Sequence, residues 1–483
     1  MSSKQLDSVY FVERRLYKAR IDHFSKLAKT KRLFSIGADA KDAKYLVAQD
    51  SSGNEVLEYL QKQHNVDPTV VKEKLIVDVS WFIDCMKSNS VIPIEQKYVL
   101  QIKCDGKKIE NEPPTKKSRL SKGVNMYACQ NCTPLHHFNS RLTDALEILE
   151  QHAFFRLDQN AESRALAFRR GSATLKACPH KITSVDSLKN LPYIDTSNSS
   201  KAGHCKKVIT EILEEGFSDE VEDIVNSDFY KTMKLFCGIW GVGPSTAKKW
   251  FDSGHRHLND IKNLKLNKDQ TVGLEYYEDL NTPVSKDEAL CVSEIVKTVC
   301  MEIKKDLLVT LVGGFRRGKP AGHDVDLLIS HPTQGEEKHV LPKVMEKLKD
   351  NFLYTDKKMS SGTTHPQYTG KSSTMDQFEK CFSIFKLDLP KSTKNGNEKP
   401  WKAIRVDLIV VPTDQYPFAL LGWTGTKHFE REIRRYTKTE KKVVLTSHGM
   451  YTTDTKQSIE AKTEEEIFKK LDLEFRPPSE RCC

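Results

Sequence analysis

Two aspartates separated by one residue, and a third in a later apolar segment, are the side chains of this sequence best suited to chemistry. Asp324 and Asp326 lie in GHDVDLLIS, and Asp407 lies in AIRVDLIVV. Alternate residues of a strand face the same side, so Asp324 and Asp326 repel each other unless a cation lies between them. If the segment of Asp407 pairs beside the first strand, three carboxylates converge, as in two-metal sites for in-line phosphoryl displacement. The sequence therefore predicts that these carboxylates hold two Mg²⁺ ions, with Mn²⁺ as the alternative.

A segment rich in glycine and in cations precedes the aspartate pair. GGFRRGKP begins at Gly313 and carries Arg316, Arg317 and Lys319. Paired glycines let a backbone approach phosphate closely, and arginine and lysine neutralise its charge. A lone Asp-x-Asp usually marks a solvated strand end, but these neighbours favour a triphosphate site.

The combined pattern resembles a known family. GGFRRGK-x-x-GHDVD, together with RVDL and FALLGWTG, is similar to the family X DNA polymerases, and the resemblance runs from residue 127 to the end of the sequence. His323 and the pair Gly422-Trp423 narrow this resemblance to one branch of the family. That branch contains DNA polymerase mu and terminal deoxynucleotidyltransferase. VVPTDQYPFALLGWTGTK favours the mu type, whereas Lys386 and FEREIRRY are closer to the transferase, which stays the alternative.

The resemblance implies roles for further residues. The residues implied in nucleotide binding are Gly313, Gly314, Arg317, Lys319, His323, Gly422, Trp423 and Lys427. His323 would stand between triphosphate and primer end, and Gly422 would leave space at the sugar, so that ribonucleotides are weakly rejected. Arg405, Arg431 and Arg434 would contact DNA, with Arg435 beside them. A cis peptide is implied between Gly425 and Thr426.

FCGIWGVGPSTAKKWF, residues 236–251, predicts a helix, a Gly-Val-Gly turn and a second helix, and is similar to a helix-hairpin-helix motif. Backbone amides at such a turn can bind a DNA phosphate, often with Na⁺ or K⁺ on nearby carbonyls. The predicted DNA contacts are Gly241, Val242, Gly243, Ser245, Thr246 and Lys249, and the predicted carbonyls are those of Cys237, Ile239 and Val242. An earlier counterpart has Val208 where base-excision relatives carry a lyase lysine, so little or no lyase activity is expected.

Apolar periodicity predicts the elements that position these residues. Residues 8–100 alternate strands and helices and resemble a BRCT domain, in which Trp81 is a core residue. Residues 126–274 are helical, and strands dominate from Leu308. The segment from Cys104 to Gly123 is polar and charged and predicts a disordered linker, whose basic cluster favours nuclear import.

The predicted architecture is multidomain, α/β and α+β. The predicted parts are a BRCT domain (1–102), a disordered basic linker (103–125), a helical 8-kDa-type domain (126–220), a fingers-like helix-hairpin-helix domain (221–274), a catalytic nucleotidyltransferase palm with a mixed β-sheet (275–413) and an α+β thumb-like domain (414–483).

Composition is consistent with a polyanionic partner. Lys and Arg number 76 against 66 Asp and Glu, a formal net charge of +10. No apolar run reaches the length of a membrane span, and the N-terminus lacks a secretory pattern, so no membrane partner is expected. The twelve cysteines are scattered and predict reduced thiols. The CxxC of Cys129 and Cys132 has no second pair at a zinc-finger spacing.

The resemblance implies a DNA polymerase that fills gaps and extends poorly paired 3′ ends during non-homologous end joining. The implied partners are DNA ends and gaps, dNTPs and NTPs, and, through the BRCT domain, the Ku heterodimer and the end-joining ligase complex. A nuclear monomer is expected, with Arg20, Lys26 and Lys29 as a contact face. The polar segment from Lys358 to Asp376 predicts either a disordered insertion or, as the resemblance implies, a loop that can stand in for missing template.

Three alternatives stay open at this point. They are a template-independent terminal transferase, an RNA nucleotidyltransferase and a non-catalytic end-joining scaffold. The intact carboxylates argue against a scaffold, and the predicted DNA-binding units argue against RNA.

Overall fold

The computed structural model describes residues 6–14, 16, 18–49, 53–64, 66–72, 74–95, 98–100, 123–195, 203–358, 376–389 and 399–483. The chain divides into two compact units between residues 118 and 119. The basic cluster of the predicted linker and nearly all of the loop between Lys358 and Asp376 lie outside the described residues. No helix in the described ranges is long and apolar enough to cross a membrane.

The N-terminal unit is a parallel sheet flanked by helices. Its elements are β1 (Ser8–Phe11), α1 (Lys18–Lys31), β2 (Ser35–Ile36), β3 (Tyr45–Ala48), α2 (Gly53–His64), α3 (Pro68–Lys72), β4 (Leu75–Asp78) and α4 (Val79–Ser88). The strand order is β2-β1-β3-β4, and each neighbouring pair is parallel. Trp81 is fully buried between Phe34 and Tyr45, and its indole N–H donates to the Ile92 carbonyl at 3.1 Å. The predicted alternation and the core position of Trp81 are therefore confirmed.

The second unit begins with helices that share one apolar core. They are α5 (Ser140–Arg156), α6 (Ala161–Ala177), α7 (Gly203–Glu214), α8 (Asp219–Asn226), α9 (Asp228–Cys237), α10 (Pro244–Asp252), α11 (Leu258–Ile261), α12 (Lys268–Glu275) and α13 (Tyr277–Asn281). Leu146, Ile209 and Phe236 are fully buried members of that core. The three- and four-residue spacing of apolar side chains accounts for this packing.

A mixed five-stranded sheet follows the helices. Its region contains β5 (Val284–Ser285), α14 (Lys286–Ile303), β6 (Leu308–Leu311), α15 (Gly313–Arg316), β7 (Ala321–Gly322), β8 (Asp324–Ser330), α16 (Val340–Lys347), β9 (Phe352–Lys358), β10 (Glu379–Asp388) and β11 (Trp401–Val410). The strand order is β6-β8-β11-β10-β9, with β8 and β11 parallel and the other pairs antiparallel. The mixed sheet was predicted, but the paired glycines form a short helical turn rather than a loop.

The helices and the sheet are joined along the free edge of β11. The first residues of β11 extend beyond β8, because β8 begins at Asp324 opposite Arg405. The carboxylate of Asp279, in the short helix α13, accepts a hydrogen bond from the Ala403 amide at 2.7 Å and pairs with Lys399 at 2.6 Å. This contact fixes the strand that carries Asp407 to the preceding helices.

The C-terminal region is α+β. It contains α17 (Tyr416–Thr424), α18 (Lys427–Glu440), β12 (Val443–Leu445), β13 (Met450–Thr452) and α19 (Glu464–Lys470). Its last residues return to the start of the second unit: the Thr133 amide donates to the Glu480 carbonyl at 3.0 Å, and the Cys482 amide donates to the Thr133 carbonyl at 2.8 Å. The peptide between Gly425 and Thr426 is trans, so the implied cis peptide is wrong.

Candidate active site and DNA interface

Strand register brings the three predicted carboxylates together. In the parallel pair of β8 and β11, Asp407 lies directly opposite Asp326, and Arg405 lies opposite Asp324. Asp407 is 6% exposed, whereas the side chain of Asp324 is 41% exposed. The alternating apolar residues of both strands are buried and hold this register. The pairing predicted from the sequence is confirmed.

The electrostatics of the three carboxylates show how closely they interact. Burial raises the pKa of Asp407 to about 7, although the Arg405 guanidinium lowers it and the Asp324 charge raises it. Burial and the charges of Asp324 and Asp407 raise the pKa of Asp326 well above its ordinary value, against the opposing effect of Arg405 and Arg317. Removing water from several like charges has this effect unless a cation compensates them.

Other features of the site fit a divalent cation. The Oδ1 atom of Asp407 is buried and has no hydrogen-bond partner. Gly313 has a φ of 61° and no side chain, and a Cβ there would collide with Oδ2 of Asp326. Within the described ranges, no three His, Cys, Asp or Glu side chains are already gathered around one point. Carboxylates on adjacent strands repel one another unless a cation lies between them, and carboxylate oxygens are ligands that Mg²⁺ binds.

The loop after Gly313 holds its two arginines in the protein. Arg316 donates to Thr424 Oγ1 at 2.6 Å and pairs with Glu464 at 2.6 Å. Arg317 is 9% exposed and donates to the Thr424 carbonyl at 2.7 Å. The sequence-based expectation that both neutralise a triphosphate is therefore corrected for Arg316, which ties this loop to the C-terminal region.

Lys319 is the exposed cation of the same loop. A Cβ at Gly314 would lie 3.1 Å from Cδ of Lys319, so the lysine stem runs over that glycine. His323 is also exposed, directly before the first aspartate. Both side chains remain available to a ligand at the carboxylates.

The wall formed by α17 is more crowded than the sequence indicated. A Cβ at Gly422 would lie 2.8 Å from Oγ of Ser447 and 3.8 Å from the Arg434 guanidinium. Gly422 therefore faces Ser447 rather than open space. The indole nitrogen of Trp423 is buried without a hydrogen-bond partner, and the Lys380 ammonium lies 5.9 Å from the centre of that ring.

The cations of α18 separate into two groups. Lys427 and Arg431 are exposed, and burial lowers the pKa of Lys427 together with the nearby charges of Arg431 and Arg169. Arg435 instead pairs with Glu432 at 2.6 Å and lies 4.2 Å from the ring of Tyr127. The predicted contact of Arg435 with DNA is replaced by a structural role.

Arg434 lies beside Gly422 of α17 and has a partner that the sequence analysis missed. It donates to Ser447 Oγ at 3.1 Å and lies 3.5 Å from Glu430. Glu430 is 7% exposed, and burial raises its pKa to about 7. Buried polar atoms without hydrogen-bond partners in the described part of the chain include those of Arg317, Arg405, Asp407, Trp423, Glu430 and Arg434. Native proteins pair nearly all of their buried polar atoms, so these atoms are open to a partner from outside the chain.

The hairpin between α9 and α10 has the geometry of an anion site. Gly241 has a φ of 79°, and a Cβ there would lie 2.6 Å from Cβ of Asp269, so only glycine fits. Gly243 precedes α10 without a side-chain cap, and Pro244 begins the helix. Gly241, Gly243, Ser245 and Lys249 are exposed, so the first-turn amides face outward.

The remaining residues predicted at this hairpin lie inside the turn. Val242 is buried, and its amide donates to the Ile239 carbonyl at 3.0 Å. Thr246 donates its amide to the Gly243 carbonyl at 3.0 Å. Cys237 ends α9. These residues shape the turn from within.

Helix α7 carries Val208, rather than a lysine, at the position expected for a lyase lysine. Val208 is fully buried in the helical core. Its neighbours Lys206 and Lys207 pair with Asp195 at 2.8 Å and with Glu211 at 3.5 Å.

Comparison with known proteins matches three consecutive family models to this architecture. The "Fingers domain of DNA polymerase lambda" matches residues 234–281, the "DNA polymerase beta palm" matches 284–413, and the "DNA polymerase beta thumb" matches 419–482. The palm match contains all three aspartates, and the fingers match contains the hairpin. The thumb match covers nearly all of the C-terminal α+β region, from the middle of its first helix.

Full-length relatives give the same result. The chain is 36% identical over 481 residues to human "DNA-directed DNA/RNA polymerase mu", covering 98% of this chain and 94% of the relative. It is 39% identical over 488 residues to Xenopus laevis "DNA nucleotidylexotransferase" and 36% identical over 485 residues to the human protein of that name, each match covering 98% of this chain and 92% of the relative. The chain is a nucleotidyltransferase that belongs to the family X DNA polymerases.

Proposed function

We propose that this polymerase is of the mu type and fills gaps and extends poorly paired 3′ ends during non-homologous end joining. The observation that carries the proposal is the register of β8 and β11, which sets Asp407 opposite Asp326 beside the exposed Lys319 and His323. A site open at Asp324 and His323 suits a primer end that brings little duplex with it. The similarity to polymerase mu over nearly the whole chain supports this type.

The metals are two Mg²⁺ ions, with Mn²⁺ as a substitute, held by Asp324, Asp326 and Asp407. Such ions would supply Lewis-acid chemistry there, which favours attack by the primer 3′ oxygen and offsets the charge of the triphosphate. Lys319 and the backbone of Gly314 hold the triphosphate. Arg317, fixed by the Thr424 carbonyl, adds positive charge behind the loop.

DNA is held by the hairpin between α9 and α10 and by α18. The open amides of residues 241–245 bind a backbone phosphate with Na⁺ or K⁺ on adjacent carbonyls, and Lys249 adds charge. Lys427, Arg431 and Arg434 contact the new base pair and the template strand. Arg405, 36% exposed in its side chain, completes this surface.

The domains are proposed as they were predicted, with a BRCT domain before the linker and an 8-kDa-type domain before the fingers. The parallel order of the N-terminal sheet and the buried Trp81 support the BRCT assignment. Lys26 and Lys29 of α1 are exposed and suit a contact with Ku and the ligase complex. The side chain of Arg20, predicted on the same face, is not among those that the structure describes. The protein acts as a monomer in the nucleus.

Primer extension with a catalytic variant tests the metal assignment. Asp324→Asn is expected to lower extension at least about 10³-fold, since it removes a charge that holds metal. Asp388→Asn, at the exposed end of β10, is the matched control and should extend normally. Unchanged activity of the Asp324 variant would refute the metal site.

A terminal transferase is the second candidate. The identities to nucleotidylexotransferases, 36% to 39% over 98% of the chain, favour it as strongly as they favour polymerase mu. Lys386 lies 5.8 Å from the ring of Trp401 on β11. Extension of one primer with and without its template strand separates the candidates: a strong dependence on template supports the mu type, and equal rates support the transferase.

A further inference from the structure

A tryptophan of the hairpin lies against the arginine beside the metal carboxylates. The Arg405 guanidinium stands 4.8 Å from the centre of the Trp240 ring. Trp240 directly precedes Gly241, at the turn between α9 and α10, and belongs to the part matched by the fingers model. Arg405 belongs to β11, two residues before Asp407. The contact therefore joins the proposed DNA-binding hairpin to the catalytic strand.

The tryptophan is held firmly in place. Helix α12 approaches so closely that a Cβ at Gly273 would lie 2.5 Å from the Trp240 carbonyl and 2.6 Å from its amide nitrogen. Its ring packs against the buried cluster of Leu280, Ile384 and Ala403. The ring is therefore a fixed support rather than a mobile surface residue.

The position of Arg405 depends on that support. Its guanidinium lies 3.6 Å from Oδ2 of Asp324, longer than the roughly 2.7–2.9 Å of a charge-assisted hydrogen bond. Its Nε atom is buried and has no hydrogen-bond partner. An arginine released from its ring would satisfy these donors by closing onto the carboxylate in a bidentate pair.

We propose that Trp240 is a positioning residue, which holds Arg405 back from Asp324 and so keeps that carboxylate available to a divalent cation. The role rests on the proposed metal site at Asp324, Asp326 and Asp407. The hairpin would then act in metal binding as well as in DNA binding. The position of Trp240 determines how closely the positive charge of Arg405 approaches Asp324. Aromatic rings attract guanidinium groups strongly enough at partly buried sites for this purpose.

Three variants of the full chain test the proposal. Trp240→Leu removes the aromatic face and keeps an apolar side chain, while Trp240→Phe keeps a ring for the guanidinium. Trp401→Leu is the matched control, because Trp401 lies in the same seam and contacts the Lys399 ammonium at 3.7 Å, further from the carboxylates. Each variant is measured for Mn²⁺ binding by electron paramagnetic resonance, for primer-template affinity, for kcat and KM of dNTP, and for thermal unfolding.

Trp240→Leu is expected to weaken Mn²⁺ binding about ten-fold, with a similar fall in kcat at limiting metal that excess metal restores. Trp240→Phe should stay near the unchanged protein, and Trp401→Leu should keep its Mn²⁺ affinity even where its melting temperature falls. Unaltered Mn²⁺ affinity in Trp240→Leu, or the same loss in Trp401→Leu, would overturn the proposal. If the unchanged protein itself binds no Mn²⁺, or if Asp324→Asn binds it equally well, the metal site fails instead.

Discussion

At the scale of single residues, the structure sorts cations that the sequence could not tell apart. Arg316 and Arg317 are adjacent, yet Arg316 pairs with Glu464, 148 positions away, while Arg317 donates to the Thr424 carbonyl. Lys319 has an exposed side chain beside them. Charge and spacing predicted a basic segment, although its first four residues form the short helix α15. The partner of each cation depends on long-range contacts, which no local pattern contains.

The three aspartates were predictable because their chemistry is local. A strand period of two sets Asp324 and Asp326 on one face, and the apolar run around Asp407 predicts a neighbouring buried strand. Glu430 was missed because a glutamate on a charged helix is ordinarily solvated. Its burial follows from the approach of Gly425, where a Cβ would lie 2.9 Å from Oε1 of Glu430.

Weak discrimination against ribonucleotides is a prediction at this scale. Gly422 has no side chain and packs closely against Ser447, so this position itself adds no ring that could oppose a 2′-hydroxyl. Incorporation of a ribonucleotide and of its deoxy counterpart is expected to differ by less than about 100-fold, a steric difference of under 3 kcal/mol. Single-nucleotide insertion kinetics measure the ratio.

Gly422→Ala supplies the comparison for that ratio. Its Cβ must displace Ser447, and through Ser447 the Arg434 side chain, so insertion of both nucleotides should slow. Strong rejection of ribonucleotides by the unchanged protein would contradict the proposed role of Gly422.

The buried Glu430 predicts a dependence of stability on pH. Burial raises its pKa from 4.5 to about 7, so the folded protein keeps a proton that the unfolded chain loses between these values. The contribution of the protonated Glu430 carboxyl to the free energy of unfolding is full below about pH 4.5. It is lost as the pH rises through about 7. Glu430→Gln, which carries no charge, should therefore exceed the unchanged protein in unfolding free energy by about 3 kcal/mol at pH 8 and by little at pH 4.5.

Chemical or thermal unfolding at both pH values checks the prediction, and Glu432→Gln is its control. Although burial acts to raise the pKa of Glu432, hydrogen bonding and charge from Arg435 lower it below its ordinary value. Removing that carboxylate should reduce stability at pH 8, opposite in sign to the Glu430 variant. If both variants changed the unfolding free energy equally at pH 8, burial would not raise the pKa of Glu430.

At the scale of elements, regular periodicity was enough for the long helices and the paired strands. The two-residue strand β2 carries too little pattern to be recognised, and α15 forms where glycines indicated a loop. The capping of the β11 edge by Asp279 was also beyond the sequence, because it joins residues more than one hundred positions apart. Edge contacts of this kind arise only when the sheet and the helices are packed together.

The hairpin gives a prediction with a control in the same turn. Gly241→Ala places a Cβ against Asp269 at a φ of 79° and should weaken primer-template binding about ten-fold, since the left-handed backbone costs other residues roughly 1–2 kcal/mol. Gly243→Ala meets open space at a φ of −97° and should be tolerated. Fluorescence anisotropy with labelled DNA measures both. Similar affinities would argue against this turn as the phosphate site.

At the scale of the whole molecule, the two compact units allow stability and catalysis to be separated. Trp81→Ala removes the largest fully buried side chain of the N-terminal unit, a change that costs roughly 3–5 kcal/mol in protein cores. Calorimetry of the full chain should show one unfolding transition shifted downward and the other unchanged. Extension of a simple primer-template should persist, while any stimulation by Ku should be lost. Parallel loss of basal extension would contradict independent units.

The pairing of residues near 133 with residues near 481 has a consequence for how the protein is made. The helices α5 to α13 can pack as soon as they leave the ribosome, but the backbone partners of Thr133 are translated about 350 residues later. Synthesis at roughly 5–20 residues per second puts tens of seconds between the two segments. During that interval the packed helices keep the backbone groups of Thr133 unpaired, and the second unit is completed only when its last residues arrive.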